Sequence, residues 1–345
     1  MNTPSASPDL LPWLLDPADP GPRYVALRDL DHCPAGQPEL AAARAAAHRD
    51  GPIAAVLAHM SEEGYWAKAG PGYGPKYQST VWAIIALGQL GASIDADERV
   101  ARGCAYLLDH ALTAAGQFTY NQTPDGTFDC LQGNLLAALC DLGCDDPRLD
   151  AAFDWAARSV TGEGLAPWQE RRAPLRYGAY KVGPLFRCRA NDGLPCAWGA
   201  VKIMLAFGKL PPARHTPVIA EAIRQGREFL LGTEPTAAGW PSRDGRNPNP
   251  AWWRFGFPVF YVADLLQLAE ALVGLGFGDD LRLTKTLTLI ANKADKNGRW
   301  PLEHSYPGRM WPGMRLGRLN KPNKWVTIRA LRVLEQSRLE IERLG

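Results

Sequence analysis

The sequence predicts an all-α chain of helical hairpins whose inner and outer helices form two concentric rings, and three observations predict it. A glycine followed at once or after one residue by an aromatic recurs along the chain, a helical apolar stretch precedes each recurrence, and a second, more apolar stretch follows it. Self-similarity over tens of residues marks a repeat architecture, because one helical hairpin cannot bury its apolar face alone.

The turns are Gly64-Tyr65-Trp66, Gly116-Gln117-Phe118, Gly239-Trp240 and Gly298-Arg299-Trp300, with a degenerate Gly162-Glu163-Gly164 between the second and third. The stretches before them, 51–60, 97–110, 147–160, 216–231 and 279–293, are the expected outer helices. Inner helices are expected near 77–90, 129–142, 195–210, 255–275 and 323–336. Two of these end alike, Leu90-Gly91 and Leu142-Gly143, where glycine can take the left-handed conformation that closes a helix. Asp95 and Asp97, then Asp145 and Asp146, follow at the start of the next outer helix and favour its positive end. The sixth inner helix is expected near 22–31, because Arg23-Tyr24-Val25-Ala26-Leu27-Arg28-Asp29-Leu30 parallels Lys324-Trp325-Val326-Thr327-Ile328-Arg329-Ala330-Leu331 in register. Helices apolar on most faces must be enclosed, and a closed ring of six encloses them without capping repeats, so 1–345 is expected to be one domain.

The turns Asp295-Lys296-Asn297-Gly298-Arg299-Trp300 and Glu62-Glu63-Gly64-Tyr65-Trp66 resemble the QW-type repeat of the squalene-cyclase and protein-prenyltransferase superfamily, with Met60 and Ala294 where glutamine would stand. The resemblance spans nearly the whole chain. It implies an αα-toroid, an (α/α)6 barrel, in which Trp66, Trp240 and Trp300 lock outer helices to their turns.

Composition narrows the partners. Hydrophobic residues are 46% and charged residues 21% of the 345, with no apolar run near the ~20 residues of a membrane span. The N-terminus, MNTPSASPDLLPWLL, lacks a basic leader and is broken by Pro8 and Pro12, which predicts a cytoplasmic protein. A formal charge of +2 predicts no nucleic-acid partner. The basic stretches 171–189 and 309–332 read either as solvated surface or as a mouth attracting an anion. Seven cysteines without a CxxC pair indicate neither a disulfide framework nor a zinc ribbon, so reduced thiols are expected, with no metal and no cofactor. Oligomeric state leaves no mark in the sequence.

The first turns of the inner helices should face one mouth of a central cavity. The substrate-binding candidates there are Ser79, Trp82, Asn134, Trp198, Phe257, Lys324, Trp325 and, one turn further, Arg329. The catalytic candidates are Asp264, Tyr261, Cys130, Cys196 and His304. Cys130 and Cys196 sit in first turns, where unpaired N–H groups favour a thiolate, although cysteine often only fills space. Asp264 interrupts an apolar run and, on a helix, would share a face with Tyr261 and Phe257, whose rings would raise its pKa; its alternative is an ion pair with Arg329 or Lys324. His304 lies in the loop before the last inner helix, as a base at the mouth or as a surface histidine.

Against the superfamily's chemistry, Asp129 and Cys130 are adjacent rather than an Asp-x-Cys zinc pair. Asp95-Ala96-Asp97-Glu98 falls at the wrong end of the ring for a cyclase acid, and no DDxxD motif occurs. An enzyme is expected, acting by acid–base or carbocation chemistry on an apolar, isoprenoid-like small molecule between aromatic walls, as a cyclase, isomerase, lyase or prenyl transferase. The alternatives are a hydrolase or lyase with a cysteine nucleophile or histidine base, and a non-catalytic binder of a small molecule or macromolecule.

Overall fold

The computed structural model describes residues 10–337 except 168, 173–174, 178–181, 244, 246–247 and 307, and it is mostly helical. The leader reading at the N-terminus and Lys181 of the first basic stretch lie outside the described residues. Helices run α1 (Leu10–Leu14), α2 (Pro20–Asp29), α3 (Pro38–Arg49), α4 (Pro52–Leu57), α5 (Thr80–Gln89), α6 (Glu98–Ala111), α7 (Asp129–Asp141), α8 (Arg148–Thr161), α9 (Ala197–Lys209), α10 (Pro217–Leu231), α11 (Leu265–Gly274), α12 (Thr284–Asn292) and α13 (Lys324–Gln336). Two small sheets, β1 (Leu165–Pro167) with β2 (Leu175–Tyr177) and β3 (Val182–Gly183) with β4 (Arg187–Cys188), were not expected from the pattern. Among the described residues no helix is long and apolar enough to cross a membrane.

The apolar second helices are the buried ones: α5 is buried from Thr80 through Gly88 and α7 from Leu131 through Leu139. The first helices are two-faced, as in α6, where Val100, Gly103, Cys104 and Leu107 point inward at three- and four-residue intervals. Among the buried set α5 packs on α7, α7 on α9, α9 on α11, α11 on α13 and α13 on α2. The α7–α9 contact is backbone on backbone, since a Cβ on Gly133 would lie 2.3–2.5 Å from the Lys202 carbonyl and Ile203 nitrogen.

The tryptophan at each turn ties three parts of its repeat. Its Nε1–H donates to a carbonyl ten residues earlier in the preceding helix: Trp66 to Val56 at 2.8 Å, Trp240 to Leu230 at 3.2 Å and Trp300 to Ile290 at 2.7 Å. Its backbone N–H donates forward to a first-turn side chain, Trp66 to Thr80 Oγ1 and Trp300 to Thr327 Oγ1. Phe118 has no indole; there Gln132 accepts from Phe118 N and donates to the Gly116 carbonyl and to the Ala152 carbonyl of α8, while Thr119 N–H and Oγ1 tie the turn back to the Ala111 carbonyl at the end of α6. Trp300→Phe keeps a ring and leaves the Ile290 carbonyl with the Lys293 N–H alone, at 3.2 Å, so it is expected to cost about 1 kcal/mol; Trp300→Ala should cost about 3–5 kcal/mol, both read by urea unfolding.

One expected inner helix is largely absent. Of 255–275 only Leu265–Gly274 is helical. Pro258 supplies no N–H and disfavours helical geometry at Phe257, and Asp264 accepts from Gln267 N at 2.7 Å, which makes it the N-cap rather than an interior residue. The freed segment 255–264 instead crosses the interior. Val259 exchanges hydrogen bonds with the Gln89 side chain at 2.7 and 2.8 Å, and the Phe260 carbonyl accepts from Asn134 Nδ2 at 3.0 Å. At the N-terminal side α3 precedes the expected outer helix, of which only α4 forms.

Candidate functional site

The N-terminal ends of the buried helices carry aromatic side chains, as expected, but these pack on one another rather than around a hollow. Trp82, Phe128, Phe260 and Tyr261 meet Tyr73, Tyr77 and Tyr306 with ring centroids 4.5–6.1 Å apart. The Lys76 ammonium stands over Tyr73 and Tyr261, 5.9 and 5.3 Å from their centroids. Tyr261 Oη and His304 Nε2 are buried there without a hydrogen-bond partner. Burial holds the His304 pKa below its usual value, against the pull of the Asp264 charge.

The remaining candidates scatter. Trp82, Trp198 and Trp325 do not share a lining: Trp198 approaches Trp252, and Trp325 stacks on Phe257 at 4.8 Å and 5°. Ser79 precedes α5 and donates to the Gly72 and Pro75 carbonyls. Lys324 pairs with Asp19 and, at 3.7 Å, Asp16. Phe257, Tyr261 and Asp264 share no helical face, because no helix runs through them. Asp264 is not an isolated acid in an aromatic pocket: its oxygens accept from Gly256 N at 3.0 Å and from Arg329 at 3.2 and 3.4 Å.

A cavity of about 460 Å³ opens at the other end, where the buried helices finish. Asp29, Gln89, Asp141, Lys209 and Gln336 are the last residues of α2, α5, α7, α9 and α13, and all line it. Arg28, Arg332, Arg329, Glu270, Gln267 and His32 add to a wall that is mostly polar, with Leu205 and Phe257 as its apolar part. Arg28 reaches Asp29 through Nε and Nη2, and Arg332 reaches the same carboxylate through Nη1 at 3.1 Å. Burial alone would raise the Asp29 pKa, but these arginines hold it below the usual range. A guanidinium has five N–H donors, so both arginines keep donors that Asp29 does not use.

From that wall inward runs a charged network of which the sequence offered only the Asp264–Arg329 pair; Glu270 and Lys202 were missed. Arg329 pairs with Glu270 at 2.7 Å as well as Asp264, and donates to the Gly256 carbonyl at 2.6 Å. Lys202, wholly buried on α9, donates to Gln267 Oε1. Burial pulls its pKa down to about 7, although the Asp264 and Cys130 charges oppose the shift. Its signal was available, since Lys202 breaks the apolar run Ala200-Val201-Lys202-Ile203-Met204 as plainly as Asp264 breaks its own.

The cysteines divide differently than expected. Burial pushes the Cys130 thiol well up, and Cys196 keeps its proton because it faces the Cys188 sulfur and is itself buried. Cys188, expected to be filler, is a depressed thiol at about 6, where the Cys196 thiol and the N–H groups of Ala190 and Asn191 outweigh burial; Cys144, facing the Cys104 thiol, is lowered to about 7. Next to them the Asp129 carboxyl is raised, chiefly by burial; Ser159 Oγ is its neighbour at 3.4 Å. Among the described residues no cluster of three or more histidine, cysteine or acidic groups is arranged to hold a metal ion.

No family model matches the sequence, and no curated protein matches it. Solved structures do match. A protein from Actinoplanes is 13% identical, with a TM-score of 0.32 over 85% of this chain and 99% of that one. The type II terpene cyclase MstE from Scytonema, in its apo form, is 11% identical, with a TM-score of 0.35 over 84% of this chain and 97% of that one.

Proposed function

We propose that the chain is a one-domain αα-toroid enzyme whose site is the polar cavity at the helix C-termini. There it performs acid–base chemistry, as an isomerase or lyase, on a small polar molecule bearing a carboxylate or phosphate. Ring closure is supported by the packing order of the buried helices, with α13 on α2 and Gly91, just past α5, against Val25 and Tyr24 of α2. The observation that carries the site is the convergence on one cavity of the last residues of five buried helices with Arg28 and Arg332. Lys202, an amine that burial pulls down to about pKa 7, holds Gln267 in the cavity wall from behind. The spare donors of Arg28 and Arg332 suit an anionic group, while Asp29, Asp141 and Glu270 already have cationic partners in Arg28, Lys209 and Arg329.

Thermal-shift titration with small dicarboxylates and phosphate esters tests the binding half. Stabilisation that disappears in Arg332→Gln supports it; no response to any anion, with a response to prenyl alcohols instead, overturns it. That second outcome belongs to the other reading, an apolar substrate held among the aromatic rings. It is favoured by Lys76 over Tyr73 and Tyr261 and by the unpaired Tyr261 Oη and His304 Nε2.

Lys202→Met should lower turnover, by loosening Gln267 in the cavity wall, while stabilising the fold. Between about pH 7 and the unperturbed 10.5 the unfolded chain binds a proton at Lys202 that the folded chain has released, so wild-type stability climbs with pH across that window. The gain from the substitution should be on the order of a few kcal/mol at pH 7 and fade towards pH 10.5, as pH-dependent urea unfolding would show.

A further inference from the structure

We propose that Cys188 and Cys196 form a dithiol site, separate from the polar cavity, that opens a low-molecular-weight disulfide and closes into an intramolecular one. The backbone places them. β4 and the segment before α9 run antiparallel, with Arg187 bridged to Pro195, the Cys188 N–H on the Leu194 carbonyl at 3.2 Å and the Cys196 N–H on the Phe186 carbonyl at 2.8 Å. In that register Phe186, Cys188, Leu194 and Cys196 point to one face while Arg187 and Pro195 point to the other, so the cysteines are diagonal cross-strand neighbours. The turn between them is tight, the Gly193 N–H returning to the Cys188 carbonyl at 2.9 Å. Both residues are partly exposed, and the Cys188 thiol is the less buried of the two, so a small reagent meets it first.

The roles follow from the local fields. Cys188 faces the Cys196 thiol and the N–H groups of Ala190 and Asn191, so negative charge is favoured on Cys188 over the more buried Cys196. The groups facing the pair from α7 are Asp129 and Cys130, both raised chiefly by burial. The Cys188 thiolate attacks one sulfur of a disulfide RSSR, forming a mixed disulfide and releasing RS⁻. The Cys196 sulfur then attacks Cys188, its proton going to the second RS⁻ as it leaves. Two thiols are thereby oxidised by two electrons and RSSR is reduced to two thiols.

Oxidised glutathione and mass spectrometry of the native protein test this. The expected result is a Cys188–Cys196 crosslink in wild type, a trapped Cys188–glutathione mixed disulfide in Cys196→Ser, and an unmodified Cys196 in Cys188→Ser. Iodoacetamide at pH 6 should label Cys188 about tenfold faster than added free cysteine, since far more of it is ionised although each thiolate is less nucleophilic. The proposal is overturned if wild type reacts at neither residue while the urea-unfolded chain reacts at both. It is also overturned if Cys188→Ser takes up glutathione at Cys196 as fast as wild type takes it up at Cys188. The wild-type arms need no variant to fold.

Discussion

Arg329→Met is expected to destabilise the protein by about 3–5 kcal/mol, and to cost more than a triple variant in which Arg329, Asp264 and Glu270 all become apolar residues of similar size. Arg329 is nearly buried, which works against its charge, and Asp264 and Glu270 more than compensate. Removing the guanidinium alone strands two carboxylates, one nearly buried and one lining the cavity, and also leaves the Gly256 carbonyl without its donor. Removing all three charges removes the desolvation cost together with the attraction. Urea unfolding of the single and triple variants reads the difference; equal losses would mean that the network is solvated and contributes little.

Gly133→Ala should have an effect of similar size for a different reason. The new methyl would meet the Lys202 carbonyl carbon and oxygen and the Ile203 nitrogen at 2.3–2.5 Å, all backbone atoms that no rotamer change can move. The helices α7 and α9 must separate, and overpacking costs typically about 1–3 kcal/mol, more where whole helices shift. A separation here also opens the seal over Lys202. The pKa of its amine, read from the pH dependence of unfolding, should rise from about 7 towards 10.5 in this variant.

The hairpin periodicity was legible because glycine and tryptophan recur for a mechanical reason: the indole N–H always reaches a carbonyl ten residues back. Helix bounds followed within a few residues where caps or glycines mark them, as at Gly91 and Gly143. They failed at 255–264, where Val259, Phe260, Val262 and Ala263 read as one apolar helix although Pro258 and the capping Asp264 forbid it. That failure moved the expected site. Tyr261 and Phe257 were assigned to a helical face, and the segment instead fills the space they were to line. Arg329 lines the polar cavity, and the ion pair with Asp264 that the sequence offered as an alternative is present. Lys202 was passed over although it breaks an apolar run, and its partner Gln267 is 65 residues away; Cys188 was passed over because the short antiparallel pairing that sets it beside Cys196 was not expected from the pattern.

The strand of backbone that crosses the interior also governs the order of assembly. Its anchors, Gln89 and Asn134, lie 170 and 126 residues upstream of Val259 and Phe260. During synthesis the apolar flanks of α5 and α7 therefore emerge long before the segment that covers them. Contacts of such long sequence separation form late and leave greasy surface open in the meantime. A chain released after residue 250 should accordingly be captured by holdase chaperones or aggregate, and should become protease-resistant once the missing portion is supplied in trans.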